Sequence, residues 1–430
     1  MAQDSMLTKD LLVTPKTVAA NDAYVAHWLE DMKHRIAEGE LPWLVNNYCP
    51  LEIFQAMDIP YIELDGPSAY YFVGELQDAH AAERKEKLRK QLESIGRCGQ
   101  CRPVNMPDLD CLPEFAGLVI RQFECIGNNR LLQKLCEING KPLFFIERAS
   151  TMPFYPKYPN WWKKHEDNWE EVMNKRELEN YVEQHKNLIR FLEVHTGKEF
   201  RMSRLEEVND RVNEMCHWER KIRDLIACSH PTPVGIMDSV NVYSTHQHQG
   251  EPGVAEVLKI YYDEIRERVE AGLGLCQNER LRLYWCKGAW YTNMSYYRAF
   301  EEKYGAVFTA SWYMNLGADA YPRSNNGDPL GAMVAHKLFQ GNYEGPEWDF
   351  LNAKFAGCQG AVMHKRQMAG LLCFNTAELG TMRETYKEYF DQHGIPMLLI
   401  DPDESLEKQY ADTERFIQEL LDRQEGKPIM

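Results

Sequence analysis

Asn129-Arg-Leu-Leu-Gln-Lys-Leu-Cys-Glu-Ile-Asn-Gly-Lys-Pro-Leu-Phe-Phe-Ile146 sets the fold class. From Asn129 to Ile138 the apolar residues fall at helical spacing. Asn139-Gly-Lys-Pro142 breaks the helix, and Leu143-Phe-Phe-Ile146 is an apolar run of strand length. Just upstream, Ala116-Gly-Leu-Val-Ile120 is a second strand-like run, so the stretch reads strand, helix, break, strand. Short buried strands alternating with amphipathic helices build βαβ units and hence parallel sheets.

The same grammar recurs in both directions. Pro50 to Met57 is helical, Asp58-Ile-Pro60 turns the chain, and Tyr61-Ile-Glu-Leu64 is a strand. Leu281 to Trp285 is a strand, Met294 to Lys303 a helix, and Tyr304-Gly305 the turn before the strand Ala306 to Ala310. Near the end come Gly360 to Met363, a long helix from Thr376 to His393, the break Gly394-Ile-Pro396 and the strand Met397 to Ile400. Between these regions, Trp161 to Ile226 is highly charged, with apolar residues at i, i+3 and i+4 such as Leu188, Phe191 and Leu192. The predicted fold is α/β: two Rossmann-like domains with mainly parallel sheets plus a helical segment. Residues 1–20 form a mobile tail, 21–160 the N-terminal domain, 161–235 the helical segment and 236–430 the C-terminal domain. Ligands of open α/β sheets sit beyond the carboxyl ends of strands, so informative residues should follow strands, as Cys125 and His364 to Cys373 do.

Composition narrows the function. The formal net charge of −16 repels a phosphate backbone, which argues against nucleic acid as partner. No uninterrupted apolar run reaches the ~18 residues of a membrane span, and the polar N-terminus lacks the apolar core of a secretory signal. A cytoplasmic protein is expected, with its 12 cysteines reduced. Most cysteines of this kind are small buried hydrophobes. The grouping of Cys98, Cys101, Cys111, Cys125 and Cys136 nevertheless makes a metal site worth considering.

Cys98-Gly-Gln-Cys101 suits zinc, an iron–sulfur cluster or a redox dithiol. A zinc site would want a second pair of matching spacing, and a redox motif would open a helix after a strand. A cluster collecting ligands from separate loops fits better. His246-Gln-His248, followed by Gly250-Glu-Pro-Gly253, reads as a surface turn before it reads as a ligand set. Trp161-Trp162 and Trp285 with Trp290 are core residues or the lining of an aromatic pocket. There is no dinucleotide fingerprint, phosphate-binding loop, zinc-protease helix or nucleophile elbow, so no nucleotide site is expected in this chain.

Several stretches resemble one family, the 2-hydroxyacyl-CoA dehydratases with the related class I benzoyl-CoA reductases. Gly39-Glu-Leu41, Tyr48-Cys-Pro-Leu-Glu-Ile53 and Met57-Asp-Ile-Pro60 resemble its N-terminal segment. Cys98 to Met106 resembles its first cluster-cysteine segment, and Leu118-Val-Ile-Arg-Gln-Phe-Glu-Cys125 its second. Gly327-Asp-Pro-Leu-Gly331 is similar to a segment of the reductase subunits, and Gly360 to Asp403 to the third cysteine loop and final βα unit. The likeness runs from about Asp22 to Leu421.

The resemblance implies two paired homologous subunits acting on an acyl-CoA, and a 4Fe–4S cluster held by cysteines from separate loops. It also implies a separate ATP-dependent activator that delivers one electron. That electron converts the thioester carbonyl to a ketyl radical, which lets the carbon-2 hydroxyl leave and acidifies the β-proton. Cys98, Cys125 and Cys373 are the implied cluster ligands, with Cys101 beside them. Cys125 and one of Cys98 or Cys101 should share a pocket between the domains. Asn46, Asn47, Glu52 and His364 are candidate catalytic residues.

The sequence departs from the pattern in two places. The third cysteine position falls on Ala369, with Cys373 four residues later and Cys358 ahead of the strand, and the N-terminal loop reads Asn46-Asn47-Tyr48-Cys49. Two alternatives follow: a subunit of a ring-reducing benzoyl-CoA reductase type, and a non-catalytic scaffold that has lost its cluster.

Overall fold

A computed structural model describes residues 11–46, 48–64, 114–122, 126–147, 166–172, 174–286, 291–311, 322–340, 346–364, 385–401 and 403–426. Helices alternate with strands. In order they are α1 (Pro15–Ala37), β1 (Trp43–Val45), α2 (Leu51–Ala56), β2 (Tyr61–Glu63), β3 (Leu118–Arg121), α3 (Ile126–Asn139) and β4 (Leu143–Ile146). Next in sequence are α4 (Trp169–Val172), α5 (Lys175–Thr196), α6 (Met202–Cys228), α7 (Ile236–Tyr243), a 3-10 turn (Ser244–His248) and α8 (Val254–Glu270). Then come β5 (Leu281–Cys286), a 3-10 stretch (Tyr291–Arg298), α9 (Glu301–Tyr304), β6 (Ala306–Ser311), α10 (Pro329–Gln340), α11 (Pro346–Phe355), β7 (Gly360–His364), β8 (Met397–Ile400) and α12 (Leu406–Gln424).

The strands form two four-stranded sheets, ordered β2-β1-β3-β4 and β6-β5-β7-β8. Every described pairing is parallel, as the strand–helix alternation requires. Both sheets share one order, with the first strand of each set flanked by the second on one side and the third on the other. The point where the order reverses, between β1 and β3 and between β5 and β7, is where such sheets open a crevice for ligands. Trp43 lies so close to Gly117 that a Cβ there would sit 2.4 Å from its ring, so glycine is required ahead of β3.

The helix expected over Met294 to Lys303 is a kinked 3-10 stretch followed by the short α9. Tyr296, Tyr297 and Phe300 crowd against Trp285 and Phe308, with ring centroids 5.1–6.3 Å apart, and this packing sets the backbone path. In α5, Asn174 caps the first turn by accepting from the Arg176 and Glu177 amides, and Gly197 closes the last in the left-handed conformation. Its Tyr181, His185, Leu188, Ile189 and Leu192 face inward.

Two elements cross between the halves of the chain. Leu330, Met333, Val334 and Leu338 of α10 are buried in the core that covers the first sheet, although α10 follows β6 of the second. Each buried aliphatic side chain is worth about 1.5–3 kcal/mol, so this docking outweighs any single ion pair. In return, Leu11 and Leu12 pack on the core of the second sheet. Asp238 accepts from the Val13 amide and the Thr14 hydroxyl, both at 2.9 Å. Glu264 accepts from the Lys16 and Thr17 amides at 2.9 and 2.8 Å. The mobile tail expected over residues 1–20 is therefore corrected from Leu11 onward: buried carboxylates fix it, and α1 begins at Pro15.

No described helix is long and apolar enough to cross a membrane. At the outer edge of the second sheet, Asp391 accepts from the Met397 amide and Lys387 donates to the Met397 carbonyl, both at 2.9 Å. These side chains cap the open edge of β8.

Candidate functional site at the carboxyl end of the first sheet

β1 ends at Val45 and β3 at Arg121, and the residues just beyond them are locked together. The Asn46 side chain accepts from the Arg121 amide at 2.7 Å and donates to the Arg121 carbonyl at 2.8 Å. A side-chain amide thus extends the sheet by one rung at its switch point. The Cys49 sulfur lies 3.2 Å from Asn46 Oδ1 and 3.4 Å from the Val119 carbonyl, two acceptors for its single proton. Burial pushes the Cys49 thiol up to about 12, so it stays a thiol.

The Arg121 guanidinium, 1% exposed, fans out to three elements. It donates to the Tyr181 hydroxyl on α5 at 3.2 Å, to the Tyr48 carbonyl at 3.1 Å and to the Lys337 carbonyl on α10. That last bond ties the end of α10 to the end of β3.

Glu52 and Lys337 meet beside this knot. Their Oε1 and Nζ are 3.0 Å apart, with both side chains 1% exposed. Lys337 also donates to Gln249 Oε1 at 2.9 Å, and Gln249 Nε2 lies 3.4 Å from His336 Nε2. His336 is held well below the usual imidazole range by burial first, then by Arg323, Lys337, His246 and Arg121. It is therefore neutral, with Nε2 as acceptor from Gln249. Gln55 donates to the Gln249 carbonyl at 2.6 Å and to the Tyr61 hydroxyl, which donates to Glu251. Glu52 Oε2 is buried with no hydrogen-bond partner among the described residues.

The candidate residues divide accordingly. Asn46 and Glu52 come together at the carboxyl end of the first sheet. His364 is the last residue of β7, buried at the carboxyl end of the second. Asn47, Cys98, Cys101, Cys125 and Cys373 lie outside the described residues. Among the described residues no three His, Cys, Asp or Glu side chains are grouped to hold a metal ion. Cys358 stands ahead of β7 and is buried, its thiol pushed up by desolvation.

The reading of His246-Gln-His248 as a surface turn is corrected. Both lie in the 3-10 turn, His248 2% exposed with its ring against the edges of Tyr24 and Trp28. His246 Nε2 is 3.1 Å from Glu219. Trp285 is core. Sequence reasoning missed Lys337, Gln249 and His336. Their only local signal was a polar pair, His336-Lys337, inside the otherwise apolar α10.

The sequence matches the family described as 2-hydroxyglutaryl-CoA dehydratase, D-component, over residues 46–420. No curated protein matches the chain. By that family match the chain belongs to the 2-hydroxyglutaryl-CoA dehydratase D-component family.

Proposed function

We propose that this D-component family member is one subunit of a 2-hydroxyacyl-CoA dehydratase, completed by a homologous second subunit and served by a separate ATP-dependent activator. Two Rossmann-like domains, one on each sheet, frame the acyl-CoA. The net reaction removes the hydroxyl from carbon 2 and a proton from carbon 3. Water and a carbon–carbon double bond result, with no net oxidation, so the electron lent by the activator is recovered.

A 4Fe–4S cluster, when bound, supplies low-potential one-electron transfer to the thioester. Cys98, Cys125 and Cys373 would hold it, with Cys101 as the neighbouring thiol. A cluster bound by three thiolates is anionic, and the buried cations Arg121 and Lys337 beyond β3 suit that charge. Cys125 follows Arg121 by only four residues in the sequence.

One observation carries the reading onto particular atoms. Glu52 has one oxygen on Lys337 and the other without a partner among the described residues, at 1% exposure. Buried polar atoms are nearly always satisfied, so the oxygen left over beside the strand ends is open to a substrate proton. Glu52 Oε2 is the base that accepts the carbon-3 proton. Asn46 and Arg121 position α2 around it, while Asn47 and His364 contact the acyl group.

The test uses the anaerobically purified complex with its partner subunit and activator. Glu52→Gln should keep iron and fold while turnover of a 2-hydroxyacyl-CoA falls by about 10²–10⁴-fold, the usual worth of a general base. Undiminished turnover would remove Glu52 from the mechanism. A wild-type complex inert toward every 2-hydroxyacyl-CoA tried would remove the dehydratase.

Ala369, at the place of the third cysteine, favours a second reading, a scaffold subunit without a cluster. Iron and acid-labile sulfide per subunit decide between them. In the leading reading Cys373→Ala loses iron and Cys358→Ala does not. Full iron in Cys373→Ala would mean that Cys373 is no ligand.

A further inference from the structure

Lys337 sits on α10, the helix that follows the second sheet but docks on the core of the first. Its ammonium is fixed at two points, Glu52 Oε1 at 3.0 Å and Gln249 Oε1 at 2.9 Å. Its carbonyl is fixed at a third by Arg121. Three elements of separate origin thus converge on one residue: α2 after β1, the turn ahead of α8, and the carboxyl end of β3. Such convergence exceeds what charge neutralisation requires, because a buried ion pair is often replaceable by apolar side chains at no loss.

We propose that Lys337 is the positioning residue for the Glu52 carboxylate, held in register by Gln249, and that through α10 it ties that base to the second half of the chain. The proposal rests on the reading of Glu52 as the base. Lys337 takes Oε1 and so orients the carboxylate with Oε2 free. Its ammonium, 3.0 Å from Oε1, is the counter-charge that a carboxylate at this depth requires.

The other titratable and charged groups of this region cannot substitute. Arg121 is committed to Tyr181, Tyr48 and the Lys337 carbonyl. His185 on α5 is neutral, pushed down to about 4 by burial and then by Arg121 and Lys337. His336 is neutral for the reasons given, and His246 lies against Glu219. Arg323 is buried with its backbone held by Asn213.

Two readouts test this on the full complex. In Lys337→Met the infrared carbonyl band of a neutral buried carboxylic acid should appear at neutral pH, and it should vanish in Lys337→Met/Glu52→Gln. The acid limb of the kcat profile should move to higher pH, because the base form then persists only under more alkaline conditions. At neutral pH kcat should fall by about 10²-fold, the lower end for a general base, with KM little changed. Lys337→Arg should restore the original limb in part, and Gln249→Leu should lower kcat by a smaller factor. Should Lys337→Met not fold, Lys337→Arg and Gln249→Leu carry the test alone.

An acid limb that does not move in Lys337→Met, or no carboxylic acid band, overturns the proposal. So does a Gln249→Leu protein with wild-type kcat. The infrared arm needs no turnover, so a positive band in a complex inert toward 2-hydroxyacyl-CoA would leave the positioning intact and sink only the dehydratase reading.

Discussion

Among the described residues each sheet has one fully buried arginine, and the two are used in opposite ways. Arg282 is the second residue of β5, at the amino end of its sheet; Arg121 is the last residue of β3, at the carboxyl end of the other. Arg282 pairs with Glu279 at 2.7 Å and donates to the carbonyls of Ala227, Ser229 and Ala356, closing the ends of α6 and α11. Glu279 is satisfied at both oxygens, since Oε2 accepts from the Thr232 amide at 2.5 Å. Beside Arg121, Glu52 is satisfied at one oxygen only. Among the described residues the same chemistry is closed at the amino end of one sheet and left with an unpartnered oxygen at the carboxyl end of the other, the end where open α/β sheets generally take ligands.

The contrast can be broken in order of size. Arg282→Met should cost about 3–5 kcal/mol of stability, because Glu279 and several carbonyls lose a buried partner. Chemical denaturation measures it, and turnover per folded molecule should not change. A stable Arg282→Met, or one folded but inactive, would erase the distinction between the two ends.

Acid sharpens it next. The imidazole of His185, fully buried and bonded to the Tyr181 carbonyl at 2.7 Å, is pushed from 6.5 down to about 4. Its folded value lies below its unfolded one, so its neutral form contributes stability above about pH 6.5 that is lost as the pH falls toward 4. The loss amounts to ~3 kcal/mol at 1.36 kcal/mol per unit. Glu301, in the second half, behaves in the opposite sense. Burial raises it to about 7 against the pull of Arg298, so its contribution is present in acid and lost as the pH rises from 4.5 through 7. A His185→Leu protein should show a shallower loss between pH 6.5 and 4, and an unchanged slope would mean that His185 does not titrate there.

The smallest effect concerns the lock between the two strand ends. Asn46→Ala removes both bonds to the Arg121 backbone and should cost about 2 kcal/mol, within the range for leaving buried polar groups unsatisfied. It should also lower turnover, since β1 leads into α2 and Glu52. A stability loss with unchanged turnover would separate Asn46 from the site.

Much of this architecture was legible in the sequence. β4 and β8 were bounded to the residue, because four apolar positions stand between glycine–proline breaks and a polar exit. β1 was not legible: Trp43-Leu-Val45 is too short to show a period, and its burial comes from lying in the middle of the sheet. Glu52 was found through a resemblance, whereas Lys337 was not. A pair separated by about two thirds of the chain leaves no local pattern, and α10 reads as a helix of the second half whichever core receives it. His246 and His248 were misread because glycine-rich flanks signal a turn and say nothing of what covers it. Cys98, Cys101, Cys125 and Cys373 lie outside the described residues.

The crossing of α10 into the first core also sets a timetable for biosynthesis. Strands β1 to β4 and helix α5 leave the ribosome long before Pro329 to Gln340 does. Until then the surface that receives Leu330, Met333, Val334 and Leu338 has no cover. The first half cannot finish folding during its own translation, contrary to the usual order in which domains close from the N-terminus. The nascent chain should be held open by a chaperone until α10 has been made. A stall before Gln340 should then yield an aggregating fragment and no autonomous domain.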